Sequence, residues 1–191
     1  MRQKKDASMR SDAQRNRERI MAVALVELTR AADTPLSRIA KEACVGQGTF
    51  YRHFPTREAL VLEIYRHEMR QVADAAAELL ALREPDRALR EWMDRLALFA
   101  MTKAGLAEAI RQATCGPGAP EKPGHTPVSE AAELLLRAGV EAGTVRPEIT
   151  VDDFFLAIAG LWQIDPEDWQ PRATRLLDLV MDGLRTEPTA S

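Results

Sequence analysis

The two cysteines of this 191-residue chain, Cys44 and Cys115, are too few and too far apart for a disulfide framework, and neither lies in the C-x-x-C spacing of a zinc site. Aromatic residues make up only 5% of the sequence. No apolar run approaches the roughly 18 residues that cross a bilayer, and the N-terminal "MRQKKDASMRSDAQRNRER" has no apolar stretch behind its positive charges to serve as a secretion signal. Alternating strand patterns, internal repeats and sustained heptads are also missing. These absences argue against secretion, the membrane and a β-fold. A cytoplasmic globular protein is expected, and the 46% apolar content suffices for a core in one or two domains.

What is present in excess is charge, unevenly placed. The net charge of −3 conceals twelve Lys/Arg against six Asp/Glu in residues 1–57, a balance of +6. That leaves 14 of the 26 basic and 23 of the 29 acidic residues for 58–191, or −9. A basic module on an otherwise acidic chain points to a polyanionic partner for its first part.

Periodicity assigns helices almost throughout. Ile20, Met21, Ala24, Leu25 and Leu28 form one stripe, predicting a helix from about Asp12 to Ala32. Leu36, Ile39, Ala40 and Ala43 form a second, with Thr34 as N-cap and Pro35 in the first turn. Ala43 to Gly46 allows only a tight turn, and Gln47 to Phe54 only two helical turns before Pro55. The spacing predicts a helix-turn-helix. A long helix capped by Thr56 follows, ending near Glu84-Pro85. Next come a helix carrying Leu89, Trp92, Met93, Leu96 and Ala100, a shorter one around Leu106 to Ala113, and a Pro/Gly loop, "CGPGAPEKPGHTP". Three more stripes begin at Val128, Val151 and Ala173.

The helix-turn-helix stretch, "VGQGTFYRHFPTREAL", is where the scarce aromatics gather among cations. On a two-turn helix Phe50 and Phe54 share the core face, which leaves Gln47, Thr49, Tyr51, Arg52 and His53 outward. An amide, hydroxyls and a guanidinium side by side suit duplex DNA, where Gln pairs with an adenine edge, Arg with guanine or phosphate, and hydroxyls with phosphate. Gly48, a poor helix former, fits a close approach to the sugar-phosphate backbone. Arg57 at the head of the long helix is expected to clamp a phosphate.

Over "PLSRIAKEACVGQGTFYRHFPTREAL", Pro35 to Leu60, the chain resembles the TetR family of bacterial transcriptional regulators. Ile39-Ala40, Ala43, Val45, Gly48-Thr49, Phe50-Tyr51, His53-Phe54 and Arg57 to Leu60 carry the likeness. The resemblance implies an all-α homodimer: a flexible basic arm over 1–11, a three-helix DNA-binding domain over 12–55, and a helical ligand-binding and dimerisation domain over 56–186. It implies that Tyr51 and Arg57 contact phosphates, that Gln47, Thr49 and His53 lie in or beside the major groove, and that Arg38, Gly48 and Arg52 belong to the same interface. It further implies a repressor released from a palindromic operator by a small molecule. Where the family commonly has glycine, this chain has Cys44, so a slightly strained turn is expected, with redox sensing as the alternative reading of that thiol.

Two C-terminal sites are expected. Trp92, Met93, Leu96, Phe99, Phe155 and Trp162 are candidates to line a pocket for an apolar or aromatic effector, with Arg111 and His125 as polar anchors and the loop from Cys115 to Pro127 as entrance. Phe154, Ile158, Leu161, Leu176, Leu177, Val180 and Leu184, on the last two helices, are candidates for a two-fold dimer interface. Catalysis has little support: Cys115 and His125 flank a Pro/Gly loop, and Glu63 and His67 are a single pair on a charged helix face. No enzyme activity, cofactor or metal is expected. A helical adaptor without DNA binding is the remaining alternative, and the Gln47, Tyr51, Arg52 and His53 cluster argues against it.

Overall fold

Apolar residues three and four apart become helices wherever the chain is free of Gly and Pro, and the computed structural model, which describes residues 2–106, 110 and 126–186, follows that rule. The described helices are α1 (Arg2–Arg30), α2 (Leu36–Glu42), α3 (Gln47–His53), α4 (Arg57–Leu82), α5 (Pro85–Gly105), α6 (Thr126–Glu141), α7 (Val151–Ile158) and α8 (Trp169–Leu184). Two 3-10 turns, Ala159–Gln163 and Pro166–Asp168, join α7 to α8. Where the sequence suggests a flexible arm, α1 already begins at Arg2. The described residues divide into two compact units, one of residues 2–66 with 105, 106 and 110, the other of 67–104 and 126–186.

The N-terminal unit is organised around rings and branched side chains with no exposure to water. Ile20, Ala24 and Leu28 of α1 meet Ile39 and Ala40 of α2, Phe50 of α3, Phe54, and Leu60, Val61 and Ile64 of α4, each at most 1% exposed. Burying each large member contributes about 1.5–3 kcal/mol. Leu106 and Ile110 close the same cluster.

The start of α2 differs from expectation by one residue. Pro35, in extended conformation, is the N-cap, its carbonyl accepting from the Arg38 and Ile39 amides. Thr34 is instead buried, its hydroxyl donating to the Glu27 carbonyl at 3.3 Å. Thr56 does cap α4, accepting from the Ala59 amide at 3.1 Å.

The α2–α3 turn has a defined chemistry. The Val45 amide reaches back to the Ala40 carbonyl at 3.0 Å and the Cys44 amide to Lys41 at 2.9 Å, a pair that requires the residue between Ala43 and Val45 to be left-handed. Cys44 occupies that place at φ 51°, and among the described residues it is the one non-glycine with positive φ.

In the C-terminal unit the large residues fill the interior. Trp92 is fully buried, donates its indole N–H to the Val72 carbonyl of α4 at 2.8 Å, and lies 6.2 Å from the Phe154 ring. Met93 and Leu96 are equally enclosed and Phe99 nearly so. Trp92, Met93 and Leu96 are core, which corrects their assignment as pocket lining, whereas Phe99 also borders a groove with Glu68, Gln71, Val72, Arg95 and Leu98. Phe155 is half-buried, edge-on to Phe154 at 5.4 Å. The side chains of Trp162, Arg111, Cys115 and His125 lie outside the described residues.

The proposed dimer residues need a similar correction. Phe154, Ile158, Leu161, Leu177 and Leu184 are 0–4% exposed within the single chain, because the turn of the 3.6-residue helix directs them inward. The outward apolar positions are Leu156 and Leu179, 74% and 70% exposed, beside half-buried Leu176 and Val180.

Thr150 and Asp153 form a reciprocal capping box on α7, each side chain bonding the other's amide at 3.1 Å. The far end of α8 is clasped to the α6–α7 connection: the Arg146 amide donates to the Leu184 carbonyl at 2.9 Å, and Val145 and Arg185 make an isolated antiparallel bridge.

The turn geometry makes one prediction. Cys44→Gly removes a left-handed strain of about 1–2 kcal/mol, partly offset by the greater freedom of glycine in the unfolded chain. A higher thermal midpoint with unchanged helicity by circular dichroism is expected.

Candidate nucleic-acid interface

Why α3 presents its polar side chains follows from what it hides. Phe50 and the C-cap residue Phe54, four residues apart, pack as tilted rings 6.2 Å apart inside the N-terminal core, so the polar side of this seven-residue helix turns outward. Gln47, Gly48, Tyr51 and Arg52 are exposed, Thr49 and His53 half-buried. Tyr51 lies edge-on to Phe50 at 5.6 Å, with 45% of its surface open. Arg52 folds back along the helix, its Nε donating to the Gly48 carbonyl at 3.1 Å.

Helix α2 adds a second line of polar groups. A groove of about 730 Å³ runs between Pro35, Ser37, Arg38, Lys41 and Glu42 on one side and Val45, Gly46 and Gln47 on the other. It brings Arg38 together with Gln47, as their shared assignment requires, and adds Lys41. Gly48 and Gly46 have no atom within 4 Å of where a Cβ would stand, and neither has a positive φ. Nothing inside the protein demands glycine at these positions.

The surroundings of His53 favour its neutral ring, which offers one donor and one acceptor rather than a charge. Partial burial lowers its pKa below the ordinary 6.5, and the nearby guanidiniums of Arg17 and Arg52 lower it further. Arg17 lies 5.0 Å over the Phe54 ring and pairs with Glu63 at 3.1 Å, which fastens α1 to the end of α3 and to α4. No pattern in the sequence singles out Arg17, one of several arginines along a charged stretch of α1.

Arg57 departs from its expected task. Its guanidinium donates to the Ala32 carbonyl at 2.8 Å and to Thr34 at 2.5 Å, so the fork that was to grip a phosphate instead closes the α1–α2 connection. This corrects its expected role: with Nη1 and Nη2 bonded to carbonyls of the α1–α2 connection, Arg57 orients α2 from behind. Arg38 is likewise tied, its Nε 3.0 Å from Glu27.

A family model for the C-terminal domain of SbtR-like transcriptional regulators matches residues 84–186, and a model for the bacterial regulatory proteins of the tetR family matches residues 22–64. The chain belongs to the TetR family of bacterial transcriptional regulators. A TetR transcriptional regulator from Streptomyces coelicolor is 41% identical, with 91% of this chain covering 99% of that one at a TM-score of 0.80. A TetR regulator from Mycobacterium vanbaalenii is 32% identical over 93% of this chain and 99% of its own, at 0.69. An HTH-type transcriptional regulator of Staphylococcus aureus is 36% identical over 63 residues, 32% of this chain and 34% of that protein. The chain thus spans about a third of the curated relatives it matches. Those 63 residues cannot include both the helix-turn-helix and the whole C-terminal unit, whereas the match over 84–186 covers most of the latter for this TetR-family member. No described helix is long and apolar enough to cross a membrane.

Gly48 supplies a prediction. Alanine at this exposed helical site meets open space and favours the helix by up to about 1 kcal/mol. Gly48→Ala is therefore expected to hold or raise the melting temperature while weakening DNA binding in a fluorescence-anisotropy titration. Equal binding by both proteins would mean that DNA does not approach this backbone.

Proposed function

We propose that this TetR-family chain is a ligand-responsive repressor that binds a palindromic operator as a homodimer, with Arg38, Lys41, Gln47, Gly48, Thr49, Tyr51, Arg52 and His53 facing the duplex. The observation that carries the reading is the division of labour along α3: Phe50 and Phe54 are the fully buried side chains, and every other position offers a hydrogen-bonding group or bare backbone. Gln47 and Arg52 read base edges; Tyr51 and Thr49 bind phosphate. Two such helices one duplex turn apart, about 34 Å, require a near-palindromic site.

The second subunit packs on the outward faces of α7 and α8. Leu156 and Leu179 supply exposed apolar surface on these two helices, and a shallow groove of about 270 Å³ between Ala157, Leu179, Val180 and Gly183 offers small residues for close approach. A charge at Leu177, buried within the chain, would unfold the protomer and say nothing of the dimer. Leu179→Asp is the better probe. Sedimentation is expected to show a folded monomer that has lost operator affinity, and an unaltered dimer would place the interface elsewhere.

The effector site lies in the C-terminal unit. With Trp92, Met93 and Leu96 committed to the core, support passes to a groove of about 240 Å³ between α4 and α5, where Phe99, Leu98 and Val72 supply apolar surface and Glu68, Gln71 and Arg95 supply polar ends. Burial raises the Glu68 pKa above the usual carboxylate range. This lining suits an effector with an apolar or aromatic body and one polar group. Binding on one side must weaken binding on the other by the same factor. Titrating a panel of aromatic amphiphiles against tryptophan fluorescence is expected to find a quencher that also releases DNA, and Phe99→Ala should abolish quenching while sparing DNA binding. Quenching that survives in Phe99→Ala would move the site away from this groove.

A further inference from the structure

Glu27 stands on the apolar stripe of α1, one turn beyond Ala24 and beside Leu28, and only 8% of it reaches water. A carboxylate in such a place needs partners. It has two, and both are surface arginines: Arg38 with Nε at 3.0 Å and Arg30 with a terminal nitrogen at 3.6 Å, their side chains 60% and 72% exposed. The backbone beneath is fixed as well, since the Glu27 carbonyl accepts from the buried Thr34 hydroxyl.

The asymmetry matters. In an ordinary surface pair both side chains move and water screens them. Here the acid is held inside the protein and cannot follow, so the arginine must stay where the acid is. Arg38 lines the α2–α3 groove with Lys41 and Gln47. A free arginine there would reach any phosphate within the length of its stem, whatever the sequence, and add to non-specific affinity through counterion release. An arginine tethered through Nε has part of its charge answered and its terminal nitrogens confined to one direction.

We propose that Glu27 is a specificity-determining positioning residue, which restrains Arg38, and with it Arg30, so that the groove discriminates the operator from other DNA. The inference rests on the reading of the α2–α3 face as the DNA interface. It assigns Glu27 no contact with DNA.

The test uses the full chain and two duplexes of equal length, one selected by the wild-type protein from random-sequence DNA and one scrambled. Affinities are measured between about 50 and 200 mM salt. Glu27→Gln keeps the shape and removes the charge. It is expected to bind the scrambled duplex about threefold tighter and to steepen the salt slope by about one, as neutralising one further phosphate would do. The selected-to-scrambled ratio should fall, and most of the change should vanish in an Arg38→Ala background. Arg38→Gln, at an exposed site, is expected to weaken the selected duplex more than the scrambled one. An unmoved slope and ratio in Glu27→Gln, or equal weakening of both duplexes by Arg38→Gln, overturns the inference. Should Glu27→Gln fail to fold, the Arg38→Gln comparison decides alone. If the wild-type protein selects no duplex, the interface reading falls first and this inference with it.

Discussion

A seven-residue helix is not stable by itself in water, since isolated helices shorter than about 12–15 residues are marginal. Everything the N-terminal unit offers to a partner depends on holding one such helix still, and two phenyl rings do it. Phe50 and Phe54 bury α3 against α1, α2 and α4, and Arg17 covers the Phe54 ring from α1. Because both rings point the same way, the exposed side of α3 is determined to within a residue. The polar groups there are positioned by the core behind them, and their own bonds to each other are few.

The supports of that helix are largely backbone carbonyls. Arg57 satisfies two of them past the end of α1, Thr34 satisfies a third, and the α2–α3 turn satisfies its own through Cys44 and Val45. Arg57 pairs acceptors of buried or half-buried residues outside any helix, which is where hydrogen bonds contribute most, and Thr34 adds a second bond to a Glu27 carbonyl that already accepts from the Ala31 amide. In the C-terminal unit it is a donor that needs pairing, and the buried indole N–H of Trp92 finds its partner in the Val72 carbonyl of α4.

Much of this is legible in the sequence. The order of the described helices, the tight turn, the inward Phe50 and Phe54 and the outward Gln47, Tyr51 and Arg52 all follow from a 3.6-residue period and are as expected, while the short helix expected around Leu106 to Ala113 and the loop after it lie mostly outside the described residues. What periodicity does not report is which side of a sparse helix meets a second helix of the same chain. For α7 and α8 that missing fact exchanged Phe154 and Leu177 for Leu156 and Leu179. It also cannot tell a cavity wall from a packed core, so Trp92 and Met93 read alike in both roles. Arg57 illustrates a third limit: a guanidinium at a helix start suits a phosphate or a carbonyl equally, and only the fold brings the distant carbonyls of Ala32 and Thr34 within its reach. Glu27 does leave a signal, an acid on an apolar stripe, where burial obliges it to find cations.

The clasp at the end of α8 bears on how the C-terminal unit can move. Main-chain bonds from Arg146 to Leu184 and from Thr186 to Thr144 join the last helix to the connection between α6 and α7. Helix α8 therefore cannot slide along its axis without breaking them, and any displacement must carry the end of α6 and the start of α7 with it. The amides of Arg146 and Thr186 are thus natural sentinels for hydrogen exchange. They would stay slow while these segments travel as one body and become fast only when the chain terminus lets go.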